Sequence, residues 1–358
     1  MALFNPTIPR PKRATIYEVA RLAGVSHVTV SRAFSKTASI SDATRKKIQS
    51  AVQSLDYRHN PLARGLNGAT TYAISIVWPM GRTFISENSI STLVTKFQRR
   101  GYHTQMANTL NRIDMTKEVL ESLLLRSVDA IVLNITPEIL DGEIVDLLKR
   151  FRAPLVVAAE PLGIEIDQIV WNRATAIKEA VVHFANSGRK NIAHIGLAKA
   201  ESGSDRLHEQ YKADAFLDSL KSCGVKCSQD NLILFDYGFS PYDVELTREF
   251  FQKRFFVNGF EFDAVLCSND WVAVIMMQML EKHGLNVPED VAVIGYDDSD
   301  LVKLSRPPLA SVNRCNDKLI EVIDNTLFER LDDPDLPLQK KQVNMRFVYR
   351  ESADALCT

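Results

Sequence analysis

Long hydrophobic runs are missing from this chain. No stretch of its 358 residues reaches the roughly 18–20 continuous apolar residues of a membrane-spanning helix. The opening MALFNPTIPRPKR has no apolar core either, so neither a span nor a secretory signal is expected. Cysteine is scarce, five in number and scattered, which excludes a disulfide framework and points to reduced thiols in a cytoplasm. Cys223 and Cys227 form the one close pair, without further Cys or His at zinc-site spacing, so no metal site is expected. Catalytic signatures are absent too: there is no G-x-S-x-G, G-x-x-x-x-G-K-[ST], H-E-x-x-H or G-x-G-x-x-G. Asp297-Asp298 is a candidate acid pair, but neighbours on a strand point to opposite faces, which argues against shared acid–base work. A protein that is not an enzyme and carries no cofactor is the expectation.

Net charge is also nearly absent, −1 over the whole chain, yet it is unevenly spread. Residues 1–66 hold eleven Lys/Arg against three Asp/Glu, a balance of +8 that leaves −9 for the rest. A basic head on an acidic body suits a nucleic-acid module joined to something that does not bind nucleic acid.

The head contains TIYEVARLAGVSHVTVSRAF, from Thr15 to Phe34. Ile16, Val19, Ala20 and Ala23 recur at helical spacing. Gly24 can end that helix in the left-handed conformation, and Ser26 stands where an N-cap belongs. In the second helix Val30, Ala33 and Phe34 share one face; His27, Val28, Ser31 and Arg32 share the other. An outer face of donors, acceptors and one apolar contact is what reading base edges in a major groove requires; an ordinary αα-corner remains the alternative. Ser41 can cap a third helix carrying Ile48, Val52 and Leu55, whose Arg45, Lys46 and Lys47 could neutralise phosphates. The next stretch, RHNPLARGLNGATT, has Asn60 as a cap before Pro61. Gly65 and Gly68 weaken a segment too short to be helical unless something braces it.

From Tyr72 apolar strands alternate with helices: AISIVW, HTQMAN, DAIVLNI, PLVVAAE, NIAHIGL, NLILFDY, AVLCSND and VAVIGYDD. Helices are expected over 210–222 and 244–256, among others. This texture means parallel sheets covered on both faces, with ligands beyond the carboxyl ends of the strands. So many units suit two similar lobes around a cleft.

These segments, with LDYRHNPLARGL after the head and VPEDVAVIGYDD and PPLASV late in the body, resemble the lactose-repressor (LacI/GalR) family of bacterial transcription regulators over nearly the whole chain. The resemblance implies an α + α/β architecture: a three-helix helix-turn-helix domain at 1–59, a hinge segment at 60–70, and a two-lobed body like periplasmic binding proteins at 71–358. It implies a cytoplasmic, nucleoid-associated repressor of a carbohydrate-related operon, bound to palindromic double-stranded DNA as a homodimer or higher oligomer. DNA contacts carried over by the match are Thr15, Tyr17, Ser26, His27, Val28, Thr29, Ser31 and Arg32 in the head. In the hinge they are Asn60, Ala63, where paired helices meet, and Leu66, the wedge between base steps. A small-molecule effector, a sugar or sugar derivative, is expected between the lobes and to change operator affinity. Asn269 and Asp297 match polar effector contacts, while Asp270 is expected to cap the following helix. Lys212 stands where the family has an arginine, Arg206 could supply a bidentate fork nearby, and Trp171 could stack on a sugar or ring or be a core or hinge tryptophan. A periplasmic-type solute receptor shares the body but not the basic head.

Overall fold

The computed structural model describes residues 14–34, 40–57, 70–79, 84–198, 204–236 and 243–354. Asn60, Ala63 and Leu66 therefore lie outside the described residues, as does the side chain of Arg206. The chain divides into two compact units, Met1–Thr71 and Tyr72–Thr358.

In the first unit α1 (Ile16–Ala23) opens on a capping box. The Thr15 hydroxyl accepts the Glu18 N–H, and the Glu18 carboxylate accepts the Thr15 N–H. Gly24 closes α1 at φ +66°. The helices α2 (His27–Ala33) and α3 (Asp42–Ser54) are capped by Ser26 and Ser41, which accept the N–H of Thr29 and Thr44. Val19, Ala20, Ala23, Val30, Ile48, Ala51 and Tyr57 form the small core. Arg45 donates to the Ala33 carbonyl at 3.0 Å, so its guanidinium finishes the C-terminus of α2, a structural role beside the phosphate contact expected for it.

The second unit begins with β1 (Ala73–Trp78), α4 (Phe84–Arg99), β2 (His103–Asn108), α5 (Ile113–Leu124), β3 (Ala130–Asn134), α6 (Gly142–Lys149), β4 (Leu155–Ala159) and β5 (Asp167–Asn172). There follow α7 (Ala174–Asn186), β6 (Ile192–Ala198), α8 (Ser204–Ser222), β7 (Leu232–Asp236), α9 (Val244–Phe251), β8 (Ala264–Cys267), α10 (Asp270–Lys282), β9 (Ala292–Asp297), α11 (Leu301–Leu304) and β10 (Ala310–Asn313). Last come α12 (Asn316–Asp332), β11 (Lys340–Asn344) and β12 (Arg346–Val348). The helix expected from 210 starts earlier, at Ser204. The one expected over 244–256 is α-helical only to Phe251 and continues as a π turn through Phe256.

The strands make two six-stranded sheets, ordered β11-β5-β4-β3-β1-β2 and β12-β10-β9-β8-β6-β7. All neighbours are parallel except β10 and β12. Central strands are buried along their length because helices cover both faces. The first lobe is completed by α12, which packs on α4 and on β3, β4 and β5. The chain therefore crosses between lobes three times: after β5, after β10, and between β11 and β12. The strand-end residues Asn172, Asp297 and Asn313 all lie at or beside these crossings.

Candidate functional site

The residues expected to read DNA are at the surface of the head. Tyr17, Ser26, His27, Val28 and Arg32 are exposed, and Thr29 and Ser31 are half-buried. Tyr17 is 66% and Val28 47% exposed, unusual for an aromatic and a β-branched residue with a core beside them. The Tyr17 and His27 rings pack at 5.1 Å between centroids, so the first helix steadies the first residue of the second. Ser26 Oγ lies 2.8 Å from Thr29 Oγ1 and 3.1 Å from the Thr29 nitrogen. The turn is thus held by its own hydroxyls while the side chains of His27, Val28 and Arg32 stay outside.

In the second unit a cavity of about 820 Å³ opens at the strand ends of the second lobe and reaches α4 of the first. That is the size of a small-molecule site. Asn88, Thr92, Trp271, Asp297, Asn313 and Asn316 are among the residues lining it. Of the effector contacts expected from sequence, only Asp297 is in its wall. Its backbone sits at φ +107°, a sparsely populated region costing roughly 1–3 kcal/mol and typical of ligand clamps. Burial raises the Asp297 pKa, and Arg314 and Lys212 oppose that rise.

Asn269, not Asp270, caps α10: its Oδ1 accepts the Val272 N–H at 2.8 Å. Asp270 turns inward, accepting from Ser311 Oγ at 2.6 Å and the Ser299 nitrogen at 2.7 Å. A Cβ at Gly295 would collide with that carboxylate. Burial and the neighbouring Asp297 push Asp270 up to about 7. Lys212 lies 2.8 Å from Glu209 and 2.9 Å from the Ser268 carbonyl and is not among the residues lining the cavity. Trp171 is 5% exposed, with the Arg314 guanidinium 5.5 Å from its ring centroid. It is Trp271, on the first turn of α10, that lines the cavity. Its position two residues after Asn269, the cap of that helix, was the signal for it.

Sequence reasoning also missed Glu160, Arg173 and Arg314, charged residues at or beside strand ends. Glu160 and Arg173 form an ion pair with side chains 5% and 6% exposed. Among the described residues no group of three or more His, Cys, Asp or Glu could hold a metal ion, and no helix is long and apolar enough to cross a membrane. Cys223 and Cys227 are free thiols.

Residues 15–60 match the model of bacterial regulatory proteins, lacI family. Residues 181–353 match that of a periplasmic binding protein-like domain. The chain is 28% identical over 341 residues to the HTH-type transcriptional repressor PurR of Mannheimia succiniciproducens, covering 95% of this chain and 98% of the relative. It is 26% identical over 343 residues to the ribose operon repressor of Escherichia coli, covering 95% and 100%. A crystal structure of the lac repressor dimer bound to operator and the anti-inducer ONPF superposes with a TM-score of 0.78 at 20% identity, over 96% of this chain and 99% of that one.

Proposed function

The chain belongs to the lacI family of bacterial regulatory proteins, and from that premise we propose that it represses transcription of a carbohydrate-related operon from the cytoplasmic nucleoid. It binds palindromic operator DNA as a homodimer and senses a sugar or sugar derivative between its lobes. The proposed division is 1–59 for DNA reading, 60–70 for the hinge and 71–358 for effector binding and dimerisation. It is a regulator, not an enzyme, as its repressor relatives are.

The observation that carries this reading is the exposed, hydroxyl-braced face of α2 on a strongly basic head. Arg32 suits a bidentate pair with guanine, Val28 a thymine methyl, and His27, steadied by Tyr17, either a donor or an acceptor edge. Thr15, Ser26, Thr29 and Ser31 have hydroxyls for phosphates, and Asn60, Ala63 and Leu66 are assigned to the minor groove. In the body, Asp297, in the cavity wall, is the primary polar contact proposed for the effector, and Asn269, Lys212, Arg206 and Trp171 are the further residues assigned to it. A ligand that prefers one lobe arrangement shifts operator affinity only by its preference between the two states.

Selection of bound DNA from a random pool tests the reading. A two-fold symmetric site enriched over bulk DNA is expected; no enrichment refutes it. Arg32→Ala is expected to cost about 1–3 kcal/mol and to relax preference at one base pair per half-site. Equal loss on every sequence would make Arg32 a phosphate contact instead.

A further inference from the structure

One end of the first lobe carries charge of the sign opposite to the rest of the acidic body. The strands β2, β1, β3, β4, β5 and β11 all run parallel, so their N-terminal ends share one end of the sheet. Tyr72, the first residue of the second unit, leads into β1 at that end. The connections into the neighbouring strands β2, β3 and β4 bring Arg99, Arg100, Arg126, Lys149, Arg150 and Arg152 there, against Asp129 alone. All six are exposed. Glu165, Asp332, Asp333 and Asp335 precede β5 and β11, on the other side of the sheet. The basic arc thus surrounds the strand that follows the head.

Two of the six have acidic partners. Arg100 Nη2 lies 3.0 Å from Asp324, and Lys149 Nζ 3.6 Å from Asp146. The side chains of Arg99, Arg126, Arg150 and Arg152 have no hydrogen-bond or ion-pair partner among the described residues. Helix polarity favours a cation at a C-terminus, and all four end or closely follow a helix. The second lobe is an internal control, because β6 to β10 are also parallel and also entered from helices. From last helical residue to strand, its connections hold five Lys/Arg against five Asp/Glu, and that charge is spent locally. Arg189 donates to the carbonyls of Pro288, Glu289 and Asp290. Asp263 accepts the N–H of Lys190 and Asn191, and Glu261 lies 3.4 Å from Arg254. The same architecture does without spare arginines there, so helix polarity does not account for those of the first lobe.

Four exposed guanidiniums without counter-charges suit a partner that carries evenly spaced anions. Duplex DNA presents about one phosphate charge per 1.7 Å of helix axis, and Arg meets phosphate oxygens bidentately. Resting on the operator reading proposed above, we infer that this end of the first lobe is a second DNA contact. Arg99, Arg126, Arg150 and Arg152 hold the phosphate backbone of the duplex beyond the base pairs that the head reads. Such contacts carry no sequence information, so they add affinity and length dependence without changing the preferred site. The acidic remainder of the body repels the same backbone, which confines the contact to this arc.

The test uses the full-length protein and the palindrome it selects from a random pool. Two duplexes are compared, the palindrome alone and the palindrome with about ten base pairs of mixed sequence added on each side. Affinities are read by fluorescence anisotropy over a salt series. The parent is expected to bind the longer duplex about ten-fold more tightly, with a steeper fall of log K against log salt. Arg99→Gln, Arg126→Gln, Arg150→Gln and Arg152→Gln combined are expected to abolish that advantage while the shorter duplex binds as it does to the parent. The same four positions changed Arg→Lys, which keeps the charge, are expected to retain most of it. Lys190→Gln with Lys226→Gln, at the matching end of the second lobe, is expected to change neither affinity. A parent indifferent to duplex length overturns the inference, as does a glutamine variant that keeps the advantage or loses equally on both duplexes. Failure to select any palindrome refutes the operator reading itself and this inference with it, whereas a selected palindrome without length dependence contradicts this inference alone.

Discussion

Arg330→Met is expected to destabilise the second unit by about 3–5 kcal/mol, the usual cost of leaving one partner of a buried ion pair uncompensated. Arg330 lies on α12, its side chain 10% exposed against 4% for its partner Asp167. Its Nε and Nη2 hold the two Asp167 oxygens at 2.8 and 2.9 Å. Its remaining donors reach the carbonyls of Pro334, Leu336 and Pro337. Asp167 also accepts the Gln339 N–H at 2.9 Å, so this pair sets where β11 begins against β5. A melting temperature lower by about 10 °C is expected for a unit of this size. Arg330→Lys should recover only part of it, because an ammonium cannot make the planar fork. A loss under about 2 °C for Arg330→Met would show that the turn from Asp333 to Gln339 holds itself.

Asp270→Asn is expected to remove a decline in stability between about pH 4 and pH 7. Asp270 is buried, and its pKa stands near 7 against an ordinary 3.8, through burial first and Asp297 second. The folded state keeps a proton that the unfolded chain releases above about pH 4. Its contribution is therefore full below the unfolded value, falls as pH rises, and is lost above about 7, on the order of 4 kcal/mol across the window. Asparagine copies the protonated form, donating to Ser311 Oγ while accepting from the Ser299 nitrogen. His194 has the opposite sign. Burial pulls its pKa from 6.5 to about 4, so its contribution is whole above 6.5 and lost as pH falls toward 4. The variant should thus be more stable than the parent at pH 8 and should show the His194 slope unmasked. Chemical denaturation from pH 4 to 8 measures both, and parallel profiles for variant and parent would exclude Asp270 as the titrating group.

The head was legible almost residue by residue, because its signals are local. Gly24 and the caps Ser26 and Ser41 act on neighbours within one turn. The central strands were legible as apolar runs. By contrast, β11 and β12 were not. The segment KKQVN is mostly polar on a sheet edge, with Val343 as its one buried residue, and RFV has only three residues; both are strands because of distant partners. The α12 signal was present in Leu319, Ile320, Ile323, Leu327 and Phe328, all buried, beyond the last strand–helix unit taken from the pattern. In the cleft, Asp297 stood out because it ends an apolar strand. Arg173, Arg314 and Glu160 did not, since the meaning of a lone charge depends on which crossing brings it to which partner.

The shared tail has a consequence for synthesis on the ribosome. Met345, 2% exposed, separates β11 from β12, so five consecutive residues pair with β5 in one lobe and the next few with β10 in the other. Neither sheet has its last edge until this stretch emerges, although β5 was made much earlier. Both lobes stay incomplete until this one late stretch is made, and a premature stop just before Lys340 would leave two unfinished lobes instead of one finished and one missing.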